Sequence, residues 1–256
     1  MVNAQTDAVA TNLFVGTMGW SYDFWKGSFY PENCASKEFL TYYSTQFDSV
    51  EVDNTFYRIP SVQAVKDWKK QSSDNFMFSL KFPKKITHIK MLENAEEDTR
   101  VFLDHVSFLG EKLGILLLQC PPMFRQQHFL NLKNYLDFLP QSYRYALEVR
   151  NKSLLTDQVY GLLRDHNVAL VWVDAVKMPL VSEATADYVF VRWEGDRKTV
   201  KGDLGKTEVN RANDIRLWSE KLKPLRDKEI QIFGYFSKYY SGFPPSDVKA
   251  LRKSLF

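Results

Sequence analysis

Cysteine is scarce in this chain: Cys34 and Cys120 are the only two among 256 residues, and they form no CxxC pair. That excludes a disulfide framework or a zinc knuckle and fits a reducing, cytoplasmic setting. Long apolar runs are missing too. No stretch reaches the roughly 18 uncharged apolar residues that a membrane span needs. The opening "MVNAQTDAVATN" has no basic region followed by an apolar run, so it does not read as a secretory signal. A cytoplasmic protein without a membrane partner is expected. Charge of one sign is also lacking, since the formal net charge is only +3. Dedicated nucleic-acid binders carry a larger basic excess, so a nucleic-acid partner has little support. A mild positive balance suits a small anionic molecule. Histidine is limited to His88, His105, His128 and His166. The last three fall within or beside expected helices, which argues against a histidine-rich metal cluster. No residue is assigned as a metal ligand. The sequence requires no cofactor, and a carboxylate-bound Mg²⁺ stays open.

What is present is an ordinary globular balance, 45% hydrophobic and 25% charged, in enough chain for a sizeable core. Strand-like runs occur at 12–17, 47–53, 76–82, 114–120, 144–150, 168–174, 187–193 and 229–236. Helical patterns fill most of the gaps. Ser36 and Ser61 stand where N-caps belong, ahead of "FLTYYSTQ" and "VQAVKDWKKQ". "AEEDTRVFLDHVSFLGEKLG" carries acids early and ends on Gly114. The link "AVKMPLVSEATA" shows no helical pattern. Strict strand–helix alternation argues for parallel strands, and eight units in about 250 residues fit a single (β/α)₈ TIM barrel. A doubly wound sheet is the competitor, but "GTMGWSYDFW" after the first strand is not GxGxxG. One domain over 1–256 is expected, with 1–11 as a loose tail.

Strand parity sorts the charges. In a barrel, alternate residues face the interior, and active sites lie at the strands' C-terminal ends. In "SVEVD", Val50 and Val52 pack outward while Glu51 and Asp53 point inward. By the same alternation Ser79 and Lys81 point inward from the third strand, and Glu148 and Arg150 from the fifth. Asp174 and Arg192 end the sixth and seventh strands, where large residues on both faces blur the parity. Gln119 ends the fourth. Two readings compete: a buried salt-bridge lattice, or a site. Buried ion pairs give weak or negative net stability, so their gathering at one barrel end favours a site. Glu51 and Glu148 are the expected acid/base pair. Lys81 is expected to position an anion, activate a nucleophile or form a Schiff base.

Two loops add to that mouth. "GWSYDFWKGSFYP" brings Trp20, Tyr22 and Trp25, rings that either stack on a ligand or form a small satellite core. "RWEGDRKTVKGDLGKT" ends like a P-loop. However, the glycine needed five residues before Gly205 is Val200, so Walker A is rejected. The segment is nevertheless basic, with Arg192, Arg197, Lys198, Lys201 and Lys206. Barrel enzymes often bind phosphate after strands seven and eight, although charge runs are usually solvated. Asn54, Tyr57 and Arg58 follow the second strand on the same rim, and His88 follows the third. With Asp53, Arg150, Asp174 and Arg192 they complete the expected substrate-binding set.

The stretches "VGTMGWSYDFWKGSFYP", "FDSVEVDNTFYRIPS", "FMFSLKFPKKITH", "ALEVRNKS" and "DYVFVRWEGDR" resemble the YecE-like proteins, a widespread domain of unknown function (DUF72). The resemblance spans nearly the whole chain and implies a TIM barrel without an established activity. Two departures stand out. The family tends to have an Arg-Leu-His-Gly-like turn after strand seven, where this chain has "RWEGD". It tends to end strand eight on a Phe-Asn-Asn-like motif, where Ser237 and Lys238 stand here. These departures imply altered polar contacts and a different substrate. The expected function is acid/base chemistry, of hydrolase or lyase type, on a phosphorylated sugar or nucleotide-like molecule. The alternative is a non-catalytic barrel that binds a nucleotide or nucleic-acid fragment.

Overall fold

The computed structural model describes residues 12–256; the expected tail at 1–11 lies outside the described residues. Eight strands alternate with helices: β1 Leu13–Thr17, α1 Phe39–Gln46, β2 Ser49–Val52, α2 Val62–Gln71, β3 Met77–Lys81, α3 Glu96–Val106, β4 Leu113–Gln119, α4 Phe129–Phe138, β5 Arg144–Glu148, α5 Asp157–Asp165, β6 Val168–Ala175, β7 Tyr188–Gly195, α6 Ala212–Asp227, β8 Gln231–Phe236, α7 Lys238–Ser241 and α8 Pro244–Leu255. All paired strands are parallel, in the order β1-β8-β7-β6-β5-β4-β3-β2. This is a (β/α)₈ barrel. Residues 176–187 join β6 to β7 without a helix, as their pattern suggests.

Closure between β1 and β2 runs through one backbone bridge and one tyrosine. Met18 and Glu51 form a single parallel bridge, and Gly19 N donates to the Glu51 carbonyl at 2.8 Å. Below it the phenol of Tyr43 stands between the strands. It accepts from Thr17 N at 2.9 Å and donates to the Ser49 carbonyl at 3.1 Å. Gly16 makes this approach possible, because a Cβ there would lie 1.8 Å from the Ser49 carbonyl oxygen.

The interior is graded along its axis. Phe14, Ile115, Leu117, Val171, Phe190 and Phe233 fill the lower and middle levels. Tyr235 rises from them, its hydroxyl 2.5 Å from Ser49 Oγ and 2.8 Å from Ser79 Oγ. Above these the inward residues become charged. The outward residues, including Val50, Val52, Phe78, Leu80, Leu147 and Trp193, pack under the helices.

Two local expectations need correction. Ser36 does not cap α1; it lies in a short 3₁₀ turn, where its hydroxyl donates to Asp23 at 3.2 Å. Ser61 does cap α2, accepting from Ala64 N at 3.2 Å. The helix expected to reach Gly114 stops at Val106. Gly110, at φ 59°, breaks the following 3₁₀ turn, and Gly114 is already inside β4.

Candidate active site

Arg192 organises the upper end of the barrel. Projecting inward from β7, it is only 1% exposed. Its Nε donates to Glu51 Oε2 and its Nη2 to Glu51 Oε1, both at 2.8 Å, a bidentate fork. Its Nη1 donates at 2.5 Å to both Glu148 Oε2 and Glu194 Oε1, and Nη2 also meets Met18 Sδ at 3.3 Å. Arg150 tightens the lattice by donating to Glu148 Oε1 through Nε and to Glu194 Oε1 through Nη2, the latter at 2.8 Å. Gln119 Nε2 adds a bond to Glu148 Oε1 at 2.9 Å. Lys81 stands at one side, 3.5 Å from Asp53 Oδ1 and 4.7 Å from the centre of the Phe56 ring.

Arg192, Arg150 and Lys81 face Glu51, Asp53, Glu148 and Glu194, so this layer has one more acid than base. A low-dielectric site resists the extra negative charge and raises the proton affinity of its carboxyls. Glu51 is the one pushed upward. Burial, only partly offset by Arg192 and reinforced by nearby Asp53, pushes it up to about 8. Glu148 is just as buried, yet Arg192, Arg150 and Lys81 together overcome the burial and pull it down to about 2. Asp53 is also held low, because Lys81 and Arg192 outweigh the effect of burial.

A cavity of about 660 Å³ opens above this layer. Asp53, Lys81, Arg150, Arg192 and Glu194 form its floor. His88 forms part of the wall from the π-helical turn Lys85–Ile89. Its Nδ1 lies 2.9 Å from Thr87 Oγ1, and burial with Lys81 and Arg150 nearby keeps its pKa below the usual imidazole range. Tyr22 and Tyr57 also line the cavity. Glu51 and Glu148, the expected catalytic pair, do not. Both are fully buried beneath the floor, with their oxygens held by the arginines.

Other expected binding residues are placed elsewhere. Trp25 is fully buried, 4.6 Å from Tyr22 and 6.5 Å from Phe243 between ring centres, in a satellite core beside the mouth. Trp20 packs edge-on against Trp68 and Phe78 on the outer side of the barrel. Asp174 follows the outward parity of Leu170 and Trp172 and accepts from Trp218 Nε1 of α6 at 2.8 Å. Asn54 and Arg58 line a separate cleft of about 250 Å³ with Trp68. Of the basic loop, Arg197 and Lys198 reach the main cavity, and Lys201 and Lys206 do not line it.

Glu194, Lys177 and Lys238 were not among the expected site residues, and Gln119 was placed at the mouth without a role. Glu194 had a usable signal, because it lies two residues beyond Arg192 and shares its face. Lys177 and Lys238 follow β6 and β8 and carry no such periodic mark. Among the described residues, no group of three or more His, Cys, Asp or Glu side chains is arranged to hold a metal ion. The Arg192 guanidinium lies between the carboxylates that could otherwise converge on one. No helix among the described residues is long and apolar enough to cross a membrane.

Fold and mouth together define a (β/α)₈ barrel with a charged layer beneath an open C-terminal cavity. Residues 14–256 match the model of the family described as "Protein of unknown function DUF72", and the chain belongs to that family. The UPF0759 protein YecE of Escherichia coli K12 is 30% identical over 139 residues, 54% of this chain and 48% of that protein, so the match spans about half of that relative's length. The UPF0759 protein YunF of Bacillus subtilis 168 is 28% identical over 90% of each chain. A DUF72 family protein from Thermotoga maritima MSB8 superposes with a TM-score of 0.79 at 25% identity, covering 95% of this chain and 98% of that one. A glycoside hydrolase family 5 enzyme from Prevotella bryantii B14 has a TM-score of 0.55 at 10% identity, covering 96% of each chain, a likeness of fold alone.

Proposed function

We propose that the protein is an enzyme carrying out acid/base chemistry on a small anionic molecule in the cavity above β2, β3 and β7. The observation that carries this reading is the Asp53–Lys81 pair. It faces the cavity, while every carboxylate oxygen of Glu51 and Glu148 is engaged below. Asp53 Oδ1 is buried without a hydrogen-bond partner, 3.5 Å from Lys81 Nζ and 3.9 Å from Arg192 Nη2, while the side chain as a whole stays 40% exposed towards the cavity. Neighbouring cations keep this carboxylate ionised at neutral pH and so able to accept a proton, while its lowered pKa makes it a weaker base than an ordinary carboxylate. Lys81 is placed to stabilise negative charge developing on the substrate or to return a proton. His88, kept neutral, is a second proton acceptor on the same wall. Glu51 and Glu148 serve as positioning residues that fix Arg192 and, through it, the floor.

A non-catalytic binding barrel is the second reading, and the saturation of Arg192 favours it. A fully engaged guanidinium gives the floor a structural role whether or not chemistry occurs above it. Turnover assays over a panel of anionic metabolites, chosen by thermal-shift hits, separate the two. Under the enzyme reading Asp53→Asn lowers kcat by roughly 10²–10⁴-fold, while the ligand-induced rise in Tm persists. Hits that raise Tm and yield no product with the unsubstituted protein refute the enzyme reading.

A further inference from the structure

The floor arginines cannot be what receives the substrate's negative charge. Each nitrogen of Arg192 already has an acceptor. Arg150 is paired with Glu148 and Glu194, and Lys81 with Asp53. The other cations of the cavity behave differently. Lys177 follows β6, Arg197 and Lys198 follow β7, and Lys238 opens α7 after β8. All four line the cavity on one side. Among the described residues, none of the four has a carboxylate within ion-pair distance, although such pairs occur widely elsewhere in the molecule. Lys238 is half-buried, and its Nζ lies 5.9, 5.6 and 5.1 Å from the ring centres of Tyr22, Phe24 and Tyr239. Arg197 stacks over Tyr239 at 4.8 Å. Aromatic faces hold these cations in place without neutralising them.

The segments bearing them are locked together. Asp196 N donates to the Tyr239 carbonyl at 3.2 Å, and Glu208 N and Val209 N donate to the Ser241 carbonyl at 2.7 and 3.0 Å. At Gly195 a Cβ would lie 2.1 Å from the Tyr239 carbonyl oxygen, and at Gly202 one would lie 2.6 Å from that of Lys238. Both glycines have positive φ, 69° and 70°. Asp196, the acid within this group, is already used by its own turn, its Oδ1 accepting from Lys198 N at 2.9 Å. The four cations therefore stand on a braced surface with Asp196 as the one carboxylate among them, which leaves the group a net positive charge.

We infer that the β6–β8 side of the mouth is a phosphate subsite, built from Lys238 and Arg197 with Lys177 and Lys198 at its edge. It takes the phosphoryl group of a phosphomonoester whose other end reaches Asp53 and Lys81. The inference rests on the cavity being the substrate site, as proposed above. A monoanion such as a carboxylate leaves most of this positive charge unmatched, whereas a phosphate dianion matches more of it. The substrate is thus bipartite: a phosphate on the β6–β8 side and an uncharged, hydroxyl-bearing part over the β2–β3 floor.

Inorganic phosphate, titrated into the full-length chain by calorimetry, tests this directly. Lys238→Met and Arg197→Gln are each expected to weaken phosphate by about tenfold or more, the loss of one charge-assisted contact. Lys81→Met and the distant surface control Lys223→Met should leave it within about twofold. Circular dichroism and Tm confirm folding, and Lys198→Gln, an exposed change, supplies a variant without packing risk. Absence of phosphate binding by the unsubstituted protein overturns the subsite. So does equal loss in Lys223→Met, or loss in Lys81→Met with Lys238→Met unaffected. Phosphate binding of the expected pattern without turnover of any phosphomonoester supports the subsite and counts only against the enzyme reading. Turnover that is insensitive to Lys238→Met and Arg197→Gln counts only against the subsite.

Discussion

The floor and the rim of the barrel mouth use the same residue types to opposite ends. On the floor, Arg192 and Arg150 are shared among Glu51, Glu148 and Glu194 and are largely withdrawn from solvent. On the rim, Lys238 and Arg197 rest on aromatic rings with no carboxylate partner. Desolvating charges is costly, and mutual pairing on the floor repays that cost only when geometry is complete. Exposed charges on the rim keep most of their hydration until a ligand arrives. Charge that is satisfied holds shape, and charge that is unsatisfied is available for binding. A cluster of charged residues at a barrel mouth is therefore not a site by count. Its function depends on which members still lack partners.

The largest effect expected from breaking this comparison is on the floor. Arg192→Met leaves Glu51 buried without its bidentate partner and Glu148 with Arg150 alone, and the fold should lose about 3–5 kcal/mol, measured by urea unfolding. A loss below about 1 kcal/mol, the range of exposed pairs, would show that the floor is as hydrated as the rim. The rim substitutions proposed above should leave unfolding nearly unchanged. The two regions then separate on one axis by stability and on the other by phosphate affinity.

A second effect distinguishes two carboxyls within the floor. Glu51 is raised to about 8, chiefly by burial, and Glu148 is lowered to about 2 because its cations outweigh burial. The raised group binds its proton more tightly in the folded state. Its contribution is complete below the ordinary carboxylate range and is lost as pH rises through about 8. The lowered group contributes above that range and loses its contribution as pH falls towards about 2. Asp247, raised to about 7 mainly by burial despite the Ser241 hydroxyl at 2.6 Å, acts in the same sense as Glu51 but finishes earlier. Stability followed by urea midpoint should therefore decline between pH 5 and 8. In Glu51→Gln the decline between pH 7 and 8 should vanish, while the part due to Asp247 remains. An unchanged slope in that variant would place the extra proton of the floor on another carboxyl.

Much of this arrangement was legible in the sequence. Where β2, β3 and β5 alternate between apolar and charged residues, parity placed Glu51, Asp53, Lys81 and Glu148 inward, and the strand count gave the barrel. It failed where both faces of a strand are apolar. In β6 and β7, Val171, Val173 and Phe190 point inward while Leu170, Trp172, Val189 and Val191 point outward, so no alternation marks either face. Arg192 was ambiguous for that reason. Saturation of Arg192 was not readable either, because it depends on side chains from β2, β5 and β7 meeting across the barrel. The burial of Trp25 depends partly on Phe243, more than 200 residues later in the chain.

Asp174 offers the smallest effect and the sharpest control. It ends the same strand that leads to Lys177, and on sequence it belonged with the mouth. Instead it lies outside the barrel wall, accepting from Trp218 Nε1 at 2.8 Å. Asp174→Asn keeps an acceptor oxygen for that indole and removes one negative charge near the β6 end. If position on the inner or outer face decides function, stability should shift by no more than about 1 kcal/mol, the net worth of a typical hydrogen bond. Phosphate affinity and turnover should stay within about twofold, which is small on the scale of 1.4 kcal/mol per tenfold. A tenfold gain in phosphate affinity on removing this charge would mean that its field reaches the rim through the wall. The division between inward and outward charges would then be one of contact only, and not of electrostatics.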